Sequence, residues 1–270
     1  MGIRLGAVTY LNARPLVYGL EHSGRFAIRY DIPSECARLL HAHETDLGLI
    51  PSIEYLRGPV PYALVPGPAV TSRGPVASVA IYTRREPRDL RTIAMDTSSR
   101  TSVALATVLL KRRFGVAPEP APMAPDLDAM LAAADGALII GDTSLLLDHE
   151  AAGVSKIDLG EAWTAETGLP FVYACWTGWP GALERDDVAA LRRARDAGVA
   201  QSDAVAAAYY PDDTARQAVA RRYLRDNIRY VLGDDELDGL RTFFHYAAEL
   251  GLVSFDGTLR FYDADDQGTR

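Results

Sequence analysis

The side chains best suited to chemistry in this 270-residue chain are neutral hydrogen-bonding groups gathered into four short segments. The densest is Asp96-Thr97-Ser98-Ser99-Arg100-Thr101-Ser102, where five hydroxyls surround the start of a helix. One Ser or Thr suffices to cap a helix. The surplus favours an anion, a carboxylate or phosphate, held by Ser98, Ser99, Thr101 and Ser102 with free N–H groups at the positive helix end. It is not a phosphate loop, because the Gly-x4-Gly-Lys framework is missing. Near the start, Tyr10-Leu11-Asn12-Ala13-Arg14-Pro15 offers Asn12, which can cap the next helix or present its amide to a ligand. Arg14 can clamp a carboxylate through two parallel N–H groups or lie in solvent. Ser52, after Asp46–Pro51, serves either as an N-cap or as an anion contact. Ile139-Ile140-Gly141-Asp142-Thr143 adds Gly141 and Asp142, the latter an N-cap or a group facing a cleft.

Other chemistries are excluded by what is missing. His22, His41, His43, His149 and His245 show no zinc-binding spacing, and His41 and His43 diverge on a helix. Cys36 and Cys175 match no metal or redox pattern. There is no Gly-x-Ser-x-Gly elbow and no Gly-x-Gly-x-x-Gly after a strand. The expectation is a site without metal or cofactor. A net charge of −8 argues against a nucleic-acid partner, which needs a concentrated basic surface. Lys111 and Lys156 are the only lysines among 28 basic residues, a bias we attribute to a GC-rich genome. No apolar run reaches a membrane-spanning length, and the opening residues lack an export-signal pattern, so we expect a cytoplasmic protein without a membrane partner. The sequence assigns no oligomeric state.

The elements that must position these residues alternate. Ile3–Thr9, Phe26–Asp31, Asp46–Ile50, Val60–Val65 and Val76–Thr83 read as strands, with helical character over Ala13–Leu20 and a helix capped by Ser34 running to about His43. A second series follows: strand Thr92–Asp96, helix Ser99–Phe114 stopped by Gly115, helix Asp126–Ala134, and strands Ala137–Ile140 and Phe171–Thr177. From Arg185 the pattern is helical, with Val219, Tyr223, Ile228 and Val231 on one face. Trp163, Trp176 and Trp179 are assigned to the core or a lobe interface. The polar tail 263–270 is expected to fray. Composition, 48 % apolar and 24 % charged, is that of a globular chain. The alternation calls for an α/β fold with mostly parallel sheet. We expect two lobes, 1–82 plus 173–270 and 83–172, with crossings near Tyr82 and Tyr173. The ligand cleft should lie between them, beyond the carboxyl ends of the strands.

Taken together and in order, YLNARPL, LIPSIEYL, MDTSSRTSVAL, LIIGD and TGLPFVYACW resemble the chorismate dehydratase family of the futalosine route to menaquinone. The resemblance covers roughly two thirds of the chain, from Leu5 to Trp176. It implies a two-lobed type II periplasmic-binding-protein-like fold and a substrate, chorismate, that loses water to give 3-[(1-carboxyvinyl)oxy]benzoate. A sister family, the 1,4-dihydroxy-6-naphthoate synthases, shares the fold but has a Ser-Pro-Cys-Pro-Asn-Asp-like opening and a His-Glu pair. Here Tyr10-Leu11-Asn12 and Gly141-Asp142 stand in those places, which favours the dehydratase. Chorismate is a dicarboxylate, so the Ser/Thr segments fit as its anion sites. The motifs hold no Lys or His base, so the expected base is the substrate's own enolpyruvyl carboxylate, with Asn12 orienting the reacting atoms. The rival reading is a solute-binding protein for a small carboxylate without catalysis, since fold does not fix function.

Overall fold

The structure is a computed structural model that describes residues 2–262; the tail discussed above, 263–270, lies outside them. Two five-stranded sheets form two lobes. The first has the order β2 (Phe26–Asp31), β1 (Ile3–Val8), β3 (Leu47–Pro51), β10 (Phe171–Gly178), β4 (Ala63–Ser72). The second has the order β7 (Glu119–Met123), β6 (Thr92–Asp96), β8 (Gly136–Ile140), β5 (Val79–Thr83), β9 (Ser155–Asp158). In each sheet the first three strands are parallel. In each sheet, too, the strand that enters from the other lobe, β10 in the first and β5 in the second, runs antiparallel to its neighbours. The crossings therefore lie at 73–78 and 159–170. Tyr82, expected near a boundary, falls inside β5 of the second sheet, and Tyr173 falls inside β10 of the first.

Local rules explain most of the elements. Ser99 accepts from the Ser102 amide and caps α2 (Arg100–Phe114), which ends on Gly115 at φ +75°. Asp126 caps α3 (Leu127–Ala133) in the same way. By contrast α1 (Pro33–His41) starts with Pro33 in its first turn, and Ile32, not Ser34, holds the cap position. The short α4 (Gly141–Leu146) follows β8, and α5 (Leu159–Thr167), capped by Asp158, leads back towards β10. The C-terminal helices are α6 (Arg185–Ala200), α7 (Ser202–Tyr209), α8 (Thr214–Arg222) and α9 (Asp234–Glu249). Beyond α8 the chain widens into a single π turn, Tyr223–Asn227, and then pairs with β4 through Arg229 and Leu232. Ile228 and Val231 therefore leave the helical face on which their spacing placed them.

One hydrophobic core runs through both lobes, with a smaller cluster behind β5, β6 and β8. Trp163 and Trp176 are fully buried, whereas Trp179 stacks on His43 at 4.1 Å. Among the described residues, no helix is long and apolar enough to cross a membrane.

Candidate functional site

The carboxyl ends of β1, β3, β6 and β8 converge on a narrow cleft that is partly open to solvent. Its walls are apolar: Val8, Leu49 and Val70 from the first lobe, Val76 at the crossing, and Val79 and Ile140 from the second. Into it are set a few neutral polar groups, Tyr10, Asn12, Ser78, Ser99, Ser102 and Tyr173. Among the lining residues there is no Asp, Glu, His, Lys or Arg. An apolar slot with a few convergent donors is the usual form of a small-molecule site.

Asn12 sits in the 3-10 segment Leu11–Val17, where Tyr10 occupies the cap position and no side chain caps. Asn12 is therefore no cap: its Nδ2 donates to the Tyr223 hydroxyl at 3.1 Å. The segment is held from behind by α6, which closes onto Pro15 at Gly198, where a Cβ would collide with the Pro15 backbone. Tyr223 Oη also lies 2.7 Å from Ser78 Oγ. Ser78 follows Ala77, a non-glycine residue at φ +66°. That strained backbone is clamped by Asp158, whose carboxylate accepts from the Val76 and Ala77 amides at 3.0 and 2.7 Å. Lys156 Nζ donates to the Ala77 carbonyl, and burial pulls its ammonium pKa down.

The hydroxyl-rich segment divides by direction. Ser99 and Ser102, three apart and therefore on one helix face, line the cleft and bond to each other at 3.1 Å. Thr101 is fully buried and turns the other way, accepting from the Ile53 amide at 3.1 Å and lying 3.3 Å from Ser52 Oγ. Ser52 itself donates to the Val172 carbonyl at 2.8 Å. Thr101 and Ser52, expected as anion contacts, instead bind one lobe to the other. Ser98 donates to Asp96 at 2.6 Å and receives the Tyr10 hydroxyl at 3.1 Å.

Two further expectations change. Arg14 does not line the cleft: its guanidinium lies 4.6 Å from the Tyr30 ring and 5.4 Å from that of Tyr209, and it donates to the Thr9 carbonyl. Asp142 is not a cap either, since α4 has none. Its carboxylate accepts from the Leu11 amide at 3.3 Å and the Tyr209 hydroxyl at 2.5 Å, joining the second lobe to the first. Burial pushes its pKa up, against the lowering effect of those donors. Gly141 does border the cleft, at φ +67°, where a Cβ would press on the Tyr10 ring.

A fourth connection between lobes is ionic. Glu54, fully buried, contacts Arg100 at 2.7 Å, Arg57 at 2.9 Å and His41 at 3.0 Å. Burial alone would raise the Glu54 pKa, but hydrogen bonds from His41 and Arg57 and the charge of Arg100 outweigh it and hold it at about 2.

Sequence reasoning missed Ser78, Tyr10, Tyr173 and Tyr223. Tyr10 stood inside a quoted motif, and its place after β1 was the signal available. Tyr223 lies 211 residues from Asn12 and reads as one more apolar position on a helix.

A family model described as menaquinone biosynthesis matches residues 3–249. A Thermus thermophilus protein named chorismate dehydratase is 32 % identical over 269 residues, covering 92 % of this chain and 95 % of that one. An Archaeoglobus fulgidus structure superposes with a TM-score of 0.73 at 17 % identity, covering 93 % of this chain and 98 % of that one. A conserved Candida albicans gene product, described as having the generic periplasmic-binding-protein fold, gives 0.69 at 11 % identity and covers 98 % of each chain.

Proposed function

The chain belongs to the menaquinone-biosynthesis family, and on that premise we propose that it is a chorismate dehydratase, a hydro-lyase that uses no metal or organic cofactor. The observation that carries this reading is the cleft's lining: neutral donors around an apolar slot, without any charged side chain. Such a slot suits a flat ring, and a substrate carrying two carboxylates can bring its own base.

In this reading the ring lies between the valines. Its carboxylate meets Ser99, Ser102 and the first amides of α2, at the positive end of that helix. The C3 proton is vinylogously acidified by the ring carboxylate, and donors fixed around that group stabilise charge developing on it. The enolpyruvyl carboxylate takes the C3 proton, the C3–H electron pair closes the C3–C4 double bond, and the C4–O bond breaks. The departing hydroxide recovers the proton from the enolpyruvyl acid and leaves as water, regenerating the carboxylate and an aromatic ring. Asn12 keeps one N–H after bonding Tyr223, and that N–H serves the leaving hydroxyl. Aromatisation supplies the driving force, so a weak intramolecular base held in place is sufficient.

Cytoplasmic residence belongs to the same proposal, and the two cysteines are separate buried thiols. The test is to mix the purified protein with chorismate, follow the diene absorbance and identify the product. Loss of the diene with release of 3-[(1-carboxyvinyl)oxy]benzoate is the expected result. Binding with the diene intact would replace the enzyme by a carrier.

A further inference from the structure

Tyr223 is 2 % exposed, and its ring is committed to the core, yet its hydroxyl emerges between two groups that line the cleft. One is Asn12, from the turn after β1; the other is Ser78, from the crossing into β5. The residue starts the π turn that interrupts the end of α8. π turns widen a helix by one residue and recur at functional sites, because they re-aim a side chain that regular helix would point elsewhere. The chain beyond it is fastened to β4: the Thr71 and Arg229 backbones exchange hydrogen bonds at 2.9 and 2.8 Å, and the Leu232 amide donates to the Gly67 carbonyl at 2.7 Å. The hydroxyl is thus anchored from both sides of the π turn.

The proton order follows from donor and acceptor capacity. The Asn12 Nδ2 can only donate, so at this contact Tyr223 Oη is the acceptor. Ser78 Oγ, 2.7 Å away, is within reach of its own hydrogen, and we assign that hydrogen there. The Ser78 hydrogen is left to point into the cleft. The same contact fixes which face of the Asn12 amide is turned to the cleft, a choice that a free amide makes at little cost. Burial raises the Tyr223 pKa, so the phenol stays protonated and the order persists at neutral pH.

We propose that Tyr223 is a positioning residue for the dehydration, setting the amide orientation of Asn12 and the hydroxyl direction of Ser78 through one shared oxygen. This rests on the functional reading above, in which Asn12 meets the reacting atoms. Without the hydroxyl both groups keep their backbone positions and lose their orientation. The substrate should still bind, while the geometry needed for the proton and hydroxyl transfers is populated less often.

The experiment is Tyr223→Phe, with steady-state turnover of chorismate, melting temperature and a double-mutant cycle against Asn12→Ala. The expected result is a fall in kcat of about tenfold to a hundredfold, with KM within about twofold and Tm within about 4 °C of the parent. In the Asn12→Ala background the same change should cost clearly less than in the parent, because of the two groups it orients only Ser78 is left. A purely structural role would lower Tm and leave kcat per folded molecule intact. That outcome, or losses that multiply fully in the double variant, would overturn the proposal. If the Phe variant does not fold, 3-fluorotyrosine placed at 223 keeps the ring and hydroxyl while weakening the oxygen as an acceptor. A lower kcat at unchanged Tm supports the role there, and an unchanged kcat removes it. An inactive parent overturns the functional reading, and this inference with it; an active parent with an active Tyr223→Phe variant overturns this inference alone.

Discussion

The cleft wall and the seam behind it use polar residues in opposite ways. At the wall, Asn12, Ser78, Ser99 and Ser102 are neutral, and each keeps hydrogen-bonding capacity towards the open space. Along the seam, Ser52 with Thr101, Asp142 with Tyr209 and the Leu11 amide, and Glu54 with Arg100 satisfy one another across the lobes. The two regions are a few residues apart in sequence and often on the same turn of helix. The contrast has a physical basis. A buried carboxylate costs little only when fully paired, so charge serves to fasten the lobes. Fixed neutral dipoles can meet a developing charge without a counter-ion having to move.

The largest departure from this division would come from putting a charge into the wall. Asn12→Asp keeps the shape but offers an acceptor where the leaving hydroxyl needs a donor, next to a dianionic substrate. Turnover should fall on the order of a thousandfold, the upper end for loss of one transition-state donor. If the amide acts mainly in the transition state, kcat and kcat/KM should fall by a similar factor. Because Asn12 caps no helix, Tm should change little beyond the loss of its bond to Tyr223. Full activity in this variant would move the chemistry away from Asn12.

The converse is to remove charge from the seam. Glu54→Gln leaves Arg100, Arg57 and His41 without their common partner. The expected loss of stability is about 3 kcal/mol, the lower end for breaking a buried pair, because both arginines reach solvent. Acid should reproduce it. The folded-state pKa, held at about 2, lies below the ordinary carboxyl value of 4.5, so the contribution is complete above that value. It should disappear as pH falls from about 4.5 to about 2. Urea midpoints at several pH values read the slope, and a Glu54→Gln protein with the same slope as the parent would assign the acid loss to other carboxylates.

The fold was legible wherever a strand lies inside a sheet and reads as an unbroken apolar run. The edges were not. Pro66 and Pro68 in β4 and Pro120 and Pro122 in β7 read as breaks, but both are outermost strands, where a missing N–H costs no ladder bond. The edge strand β9 was passed over as well. The site was legible to the level of the segment. Each of the four segments reaches the cleft or the seam, because position after a strand is written in the order of residues. Which side of the segment faces the ligand depends on helix phase and on partners far away in the chain. Thr101, Ser52, Asp142 and Arg14 were misplaced for that reason, and Tyr223 was overlooked.

The finest test separates two hydroxyls one position apart on the same turn. Thr101→Val preserves the volume and removes an acceptor that satisfies the Ile53 amide in a fully buried setting. The cost is that of an unsatisfied buried donor, about 1–3 kcal/mol, and it should appear in Tm and the urea midpoint. KM for chorismate should stay within about twofold, because no ligand-facing atom is lost. Ser102→Ala should behave in the opposite way. Its hydroxyl lines the cleft and donates to Ser99, so its removal loosens the carboxylate's contact and raises KM severalfold, about 1 kcal/mol. Stability should hardly move, since alanine is the better helix former inside the first turn. Measured together, the two variants read the direction of each side chain in solution. A raised KM with intact stability for Thr101→Val would place that hydroxyl on the substrate and dissolve the boundary between wall and seam.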